Sequence, residues 1–426
     1  MKQHDAQYDI AIIGAGVTGS ALYYVLNKYT DVNRIAVIEK YSLAGQVNSK
    51  STANSHTLHF GDIETNYSIE KAEKVKHAAH MVERYVRQAG RHELHERYSK
   101  MVLGVGEQQI RQLKQRHENM KQLFPELEYM HWKDIATIEP AVADDREDIA
   151  ALYSPNGYAI DFGRLSESFL EVATTKDILR LFGTHVKKIK KKEKYTITTT
   201  NGTLEARTIV AAAGAHSLLF AKQLGYGKEF SILPVAGNFF VSKKILNGKV
   251  YTIQNDKLPF AAIHGDPDIN DPKITRFGPT AIMLPMLERG LYKSVWHFFK
   301  TSGVSGLTNM LAVLHDDTVL EYAMHNILYE IPYFGKELFL LEAKKIVPSL
   351  HDLKRAKGVG GIRPQLVSHR GLHMGDAKII GESAIFDITP SPGATNCLQN
   401  AEEDAKRVCS FLGKRFDETG FKEEFY

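Results

Sequence analysis

The first forty residues constrain this chain more than any other stretch. They read Tyr8-Asp-Ile-Ala-Ile-Ile-Gly14-Ala-Gly16-Val-Thr-Gly19-Ser, then a helical stretch, then Arg34-Ile-Ala-Val-Ile-Glu39-Lys. An apolar strand runs into a glycine turn that opens a helix, and a second strand ends on an acid. Each part has a task in holding a dinucleotide. Gly14 permits the tight turn, Gly16 lets backbone approach a pyrophosphate, and Gly19 lets helix and strand pack closely. The helix N-terminus faces the phosphates, and Glu39 takes the ribose hydroxyls. A lone glycine triplet is weak, but both strands and the acid stand in register here.

At 426 residues the chain has room for two or three domains, and 43% hydrophobic with 24% charged residues is ordinary for a globular protein. A net charge of +4 is small for this length and argues against a dedicated nucleic-acid binder. The two cysteines, Cys397 and Cys409, show neither a pairing pattern nor ligand spacing. No metal site is therefore expected, and a reducing cytoplasm is. The N-terminus enters the first strand within a few residues, so no signal peptide is expected. No apolar run is long enough for a transmembrane helix.

Beyond Glu39, the small polar run Ser49-Lys-Ser-Thr-Ala-Asn54-Ser55-His56-Thr-Leu-His59-Phe-Gly61 suits a loop against a ligand or a solvated connector. Ala72, Val75, Ala79, Val82 and Val86 predict an amphipathic helix. A second, carrying Ile110, Leu113, Met120 and Phe124, is predicted to stop before Pro125. Asn201-Gly202 predicts a hairpin leading into an apolar strand that ends at Gly214. Residues 231–290 read as short strands and 291–330 as helical. The lysine run from Lys187 to Lys194 reads as the solvated edge of a strand.

Two segments turn the dinucleotide reading toward a flavin. One is the strand ending at Gly214, preceded by Val186 in a strand able to offer its backbone to an adenine. The other, Thr389-Pro-Ser-Pro392-Gly393-Ala394-Thr395-Asn-Cys-Leu, is a turn opening a helix. Backbone donors there suit the anionic edge of a reduced flavin.

The N-terminal fingerprint, the central Ala-Ala-Gly strand end and the C-terminal turn resemble the FAD-dependent amino- and hydroxy-acid oxidoreductases. The resemblance narrows through the Ala53 to Tyr67 stretch, Leu233-Pro-Val-Ala-Gly, Ala262-Ile-His264-Gly265-Asp266-Pro267-Asp268, Arg276-Phe-Gly278-Pro279-Thr280-Ala, Gly361-Ile-Arg363-Pro-Gln365 and Ser391-Pro-Gly-Ala-Thr. In order, these look like the shorter branch of the malate:quinone oxidoreductase family. The resemblance implies an α/β fold: a discontinuous Rossmann-like FAD-binding domain with an inserted β-rich α+β substrate domain. The implied FAD-binding stretches are 1–98, 162–228 and 355–426, and the substrate-binding ones 99–161 and 229–354. It further implies oxidation of (S)-malate to oxaloacetate, a membrane quinone as acceptor, and peripheral attachment to the inner face of the cytoplasmic membrane.

Oxidising a 2-hydroxy acid on a flavin needs a base for the hydroxyl proton and cations for the carboxylates. His264 is the first candidate base, with His59 and His56 behind it; the alternative is a hydrogen-bonded turn histidine. Arg276 and Arg363 are the candidate carboxylate binders, each alternatively a structural ion pair. Gln365 and Asn66 are candidate neutral contacts. Asn54, Ser55, Gly393, Ala394 and Thr395 join Gly14, Gly16, Gly19, Glu39, Val186 and Gly214 as expected cofactor contacts.

Leu291, Val295, Phe298 and Phe299 fall on one helical face, with Tyr292, Trp296, Lys293 and Lys300 around them, and Leu307, Met310, Leu311 and Leu314 repeat the pattern. Such a helix suits a bilayer interface or a buried core. Rival readings are an L-2-hydroxyglutarate or other 2-hydroxy-acid dehydrogenase, an oxygen-using amino-acid oxidase, and a flavin-binding module without turnover.

Overall fold

The computed structural model describes residues 7–88, 90–144, 146–254, 262–331, 334–373, 377–390 and 392–426. Ser391, part of the C-terminal motif, lies outside them, as do the side chains of Leu307, Leu311 and Leu314.

The fold is α/β. Its first sheet has a parallel core in the order Ala384–Ile388, Thr203–Ala211, Gln7–Ile13, Arg34–Ile38, Asp177–Leu181. Ile10, Ala11 and Ile12 are fully buried, as a parallel strand covered on both faces requires. Helix Val17–Tyr29 covers one face together with Phe162–Leu170 and Cys397–Leu412. The chain reverses direction across the sheet beside Gln7–Ile13, which pairs with Arg34–Ile38 on one side and Thr203–Ala211 on the other. Open α/β sheets bind ligands at the carboxyl ends of strands at such a switch point.

A second, eight-stranded sheet runs from Lys354–Arg355 through Phe240–Lys243, Ile274–Gly278, His264–Pro267, Lys249–Thr252, His95–Val105 and Ile149–Ile160 to Glu128–His131. A third sheet has four strands and pairs Ser231–Ala236 with Ile362–Ser368. Stretch 355–426 thus enters more than one sheet.

Most predicted elements form. The helix Ile69–Val86 buries all five predicted apolar positions. Strands Tyr195–Thr199 and Thr203–Ala211 pair around the Asn201-Gly202 turn. Strand Val186–Lys191 pairs on one side only, so its lysines Lys187, Lys188 and Lys190 are exposed. The second predicted helix ends at Met120 rather than Phe124. Phe124, next to Pro125, reaches the core from a turn, consistent with the bias of a pre-proline residue away from helix.

The predicted apolar face in 291–299 splits. Phe298 is buried in the core while Trp296 is 74% and Tyr292 83% exposed. No helix among the described residues is long and apolar enough to cross a membrane.

Candidate active site

One cavity of about 930 Å³ runs from the glycine turn to the second and third sheets. Gly14, Gly16, Glu39, Val186 and Gly214 line one part; Asn54, Ser55, His59, His264, Arg363, Gly393, Ala394 and Thr395 line the rest. Four predicted residues, Gly19, Arg276, Gln365 and Asn66, do not line it. Gly19 sits behind the turn, where a Cβ would overlap the Gly14 carbonyl oxygen. That is the close helix-to-strand packing expected of it.

Arg276 is the larger correction. It is fully buried, its Nε is 3.1 Å from Asp268 Oδ2, and its Nη2 donates to His56 Nδ1 at 2.9 Å. The structural ion pair, not a carboxylate clamp, is what these contacts describe. Gln365 and Asn66 also lie off the cavity lining, with Gln365 donating to the His373 carbonyl.

The cofactor end is built mainly from backbone. Gly14 adopts φ +104°, and a Cβ there would come within 2.5 Å of the Ala212 carbonyl. Gly16 caps the following helix without any side-chain acceptor, and its first turn carries no acid, leaving the positive helix end toward the cavity. Ser49 Oγ accepts from Val17 N at 3.0 Å, tying the 49–56 loop to that helix start. Glu39 lines the cavity, but its carboxylate also accepts from Ala15 N at 2.8 Å and Tyr41 N at 3.0 Å. The acid therefore holds the glycine turn as well as facing the cavity. Asn54 is a loop brace, donating to Asn48 O and accepting from His56 N. A helix start with a glycine N-cap, side-chain-free turn glycines and a long cavity leading to a second cluster of polar groups fit an extended dinucleotide such as FAD.

The other end gathers two histidine–carboxylate pairs. His59 Nδ1 lies 2.6 Å from Glu64 Oε1, and its backbone N–H donates to Thr395 Oγ1 at 3.1 Å, fixing the histidine against the C-terminal turn. Burial raises the Glu64 carboxyl, but the hydrogen bond and charge of His59 outweigh it and bring it down to about 2. His264 Nε2 approaches Asp266 Oδ2 to 3.1 Å. Burial opposes ionisation of Asp266, yet His264, Lys249 and Arg276 together hold it well below the usual carboxylate range.

Arg363 is half-buried and lines the same cavity, in strand register with Val235. Burial draws its guanidinium down to about 10, with Tyr67 and Tyr322 acting the other way. A guanidinium lining the cavity is suited to a carboxylate.

Sequence reading missed Tyr251, which lines the cavity and stacks on His264 with ring centroids 4.7 Å apart. It also missed Lys249, the buried cation beside Asp266. Only strand pairing reveals them: Tyr251 stands opposite His264, and no local motif marks a four-residue strand.

The FAD dependent oxidoreductase family matches residues 9–395. A Campylobacter jejuni protein named "Probable malate:quinone oxidoreductase" is 43% identical over 98% of this chain and 99% of its own length. A Helicobacter pylori protein named "Malate:quinone oxidoreductase" is 38% identical over 96% of each chain. Among solved structures, glycine oxidase from Geobacillus kaustophilus superposes with a TM-score of 0.66 at 18% identity, covering 97% of this chain and 98% of that one. The FAD-bound L-alpha-glycerophosphate oxidase of Mycoplasma pneumoniae gives 0.63 at 17% identity, covering 96% of each. These two likenesses describe the fold. The chain belongs to the FAD-dependent oxidoreductase family and, within it, to the malate:quinone oxidoreductases.

Proposed function

We infer that this protein oxidises (S)-malate to oxaloacetate on FAD and passes the electrons to a quinone. The observation that carries the chemistry is one cavity joining a dinucleotide cradle to His264, His59 and Arg363. FAD, when bound, supplies the acceptor for the hydride leaving malate C2. The Gly14–Gly16 turn, Glu39 and Val186 hold its adenosine and phosphate end. Gly393, Ala394 and Thr395 would meet the ring end.

His264 takes the hydroxyl proton of malate as C2 loses its hydride, leaving the carbonyl of oxaloacetate. Arg363 binds a substrate carboxylate and fixes which face of C2 is presented. His59, held by Glu64 and Thr395, orders its part of the wall and is the alternative base. Arg276 acts at one remove, holding His56 in the cavity wall. The division into FAD-binding stretches 1–98, 162–228 and 355–426 around the substrate-binding stretches 99–161 and 229–354 belongs to this reading.

A lipid-soluble acceptor calls for a membrane-facing surface. Tyr292, Trp296 and Phe299 repeat every third or fourth residue at the start of helix Lys293–Leu314, and all three are exposed, beside exposed Lys293 and Lys300. On helix Asp317–Leu328, Leu320, Met324, Ile327 and Leu328 make a second outward stripe, while the polar Asn326 is turned inward onto Ala281 N. Phe334 and Leu341 do the same on helix Phe334–Ala343. This inverted pattern supports peripheral docking on the inner face of the cytoplasmic membrane.

The test is anaerobic bleaching of the yellow holoenzyme by a panel of acids. Bleaching by L-malate supports the reading, and a preference for L-2-hydroxyglutarate or an amino acid contradicts it.

A further inference from the structure

Lys249 is a cation with no access to solvent and no evident reason to be one. Its side chain is 1% exposed in the strand Lys249–Thr252. Burying a charge is expensive, and well-packed apolar residues often serve stability equally well. Its contacts give it a place in a closed loop of groups under the cavity. Lys249 Nζ lies 3.4 Å from Asp266 Oδ1, and the other carboxylate oxygen lies 3.1 Å from His264 Nε2. The ammonium donates to Ser55 O at 2.9 Å and Thr57 Oγ1 at 3.2 Å. Thr57 Oγ1 is 2.6 Å from the Tyr251 hydroxyl, and the Tyr251 ring stacks back on His264.

A carboxylate beside an imidazole favours the imidazolium, which has no lone pair left to accept a proton. A base held by Asp266 alone would be drawn toward its protonated form and lose lone-pair capacity for the substrate proton. A cation on the far oxygen of the same carboxylate opposes that tendency. Of the other charges around this pair, Arg276 also bears on Asp266, but its ion pair and hydrogen bond go to other partners, as do those of the rest. Arg276 is bound to Asp268 and His56, Asp62 to Lys100, and Glu64 to His59.

We propose that Lys249 is a positioning residue for proton abstraction: it counter-charges Asp266 so that His264 meets the substrate as a neutral base. The role rests on the reading of His264 as that base. It requires Lys249 and Asp266 to act on His264 with opposite sign, which a purely structural lysine does not.

The experiment compares Lys249→Met, Asp266→Asn and the double variant as FAD-loaded enzymes. Flavin reduction by L-malate is followed anaerobically by stopped flow from pH 5 to 9. The His264 ring signal, identified by its loss in His264→Gln, is followed by NMR over the same range. Lys249→Met is expected to move the acid limb of the reduction rate up by roughly one pH unit. Asp266→Asn is expected to move it down, and the double variant to return toward the parent, with the ring signal following each displacement.

Lys249→Arg keeps the charge and should keep the parental limb. If Lys249→Met does not retain FAD, Asp266→Asn against the double variant isolates the same effect; equal limbs in those two overturn the proposal. Lost reduction in His264→Ala with an unmoved limb in Lys249→Met overturns the role of Lys249 alone. Full reduction in His264→Ala overturns both readings.

Discussion

The two ends of the cavity are made of different materials. At the cofactor end, backbone does the work: Gly14 and Gly16 clear space, a helix start with a glycine N-cap faces the cavity, and Glu39 braces the turn. At the substrate end, buried charges do it: His264, Asp266, Lys249 and Arg276 come from three adjacent short strands. A backbone cradle tolerates change in most side chains but not in its glycines. A buried charge cluster is the reverse, since removing one member leaves another without its partner. On the proposed reading, the first end fixes which cofactor fits, and the second selects what reacts on it.

The largest effect is expected where chemistry is concentrated. His264→Ala should slow malate-driven flavin reduction by roughly 10²- to 10⁴-fold while the protein stays yellow. Single-turnover reduction at the parental rate would remove His264 from that role, and the same loss in His59→Ala would transfer it. At the opposite end, Gly19→Val should instead cost the cofactor itself. The new side chain meets the Gly14 carbonyl and displaces the turn, so the purified variant should be largely colourless. A yellow Gly19→Val with normal turnover breaks the contrast between the two ends.

Arg363→Met should weaken malate by roughly 10- to 100-fold, as loss of a charge-assisted carboxylate contact does, with a smaller effect on reduction at saturation. A changed reduction rate with unchanged malate affinity would assign Arg363 to something other than ground-state binding.

Charge buried away from the cavity behaves differently. Burial pushes the Glu139 carboxyl up to about 6, against the hydrogen bonds it accepts from Asn247 and Gly248. Its folded value lies above the unfolded one. Any stability it adds is therefore present below about pH 4.5 and is lost as pH rises through about 6. Glu139→Gln should remove that loss, so the variant should gain on the parent by about 2 kcal/mol between pH 4.5 and 8 in urea titrations. Parallel pH profiles would refute this. Smallest in effect on catalysis, Trp296→Ala with Phe299→Ala should lower vesicle binding by roughly tenfold or more and leave malate-to-dye activity intact. Unchanged vesicle binding would move the docking face elsewhere.

The same contrast explains what the sequence made legible. The fingerprint is contiguous, so Gly14, Gly16, Gly19 and Glu39 announce a strand, turn, helix and strand within forty residues. Helix Ile69–Val86 and the Asn201-Gly202 hairpin are equally local. The substrate end depends on strand register, which pairs His264 with Tyr251 and Asp266 with Arg276. From sequence, Arg276 and Arg363 had equal claims on the substrate. Register turned Arg276 inward to Asp268 and His56 and left Arg363 on the cavity wall. The aromatic stripe divided for a similar reason: periodicity groups Phe298 with Phe299, and only the packing of the helix separates the buried ring from the exposed one.

The most direct measurement is an anaerobic titration of the purified FAD-loaded protein with L-malate, followed by a water-soluble quinone analogue. The flavin absorbance should bleach with malate, oxaloacetate should form in step, and the quinone analogue should restore the colour. A flavin that malate leaves oxidised, or that another acid reduces while malate does not, would contradict the joining of this cradle to a malate site.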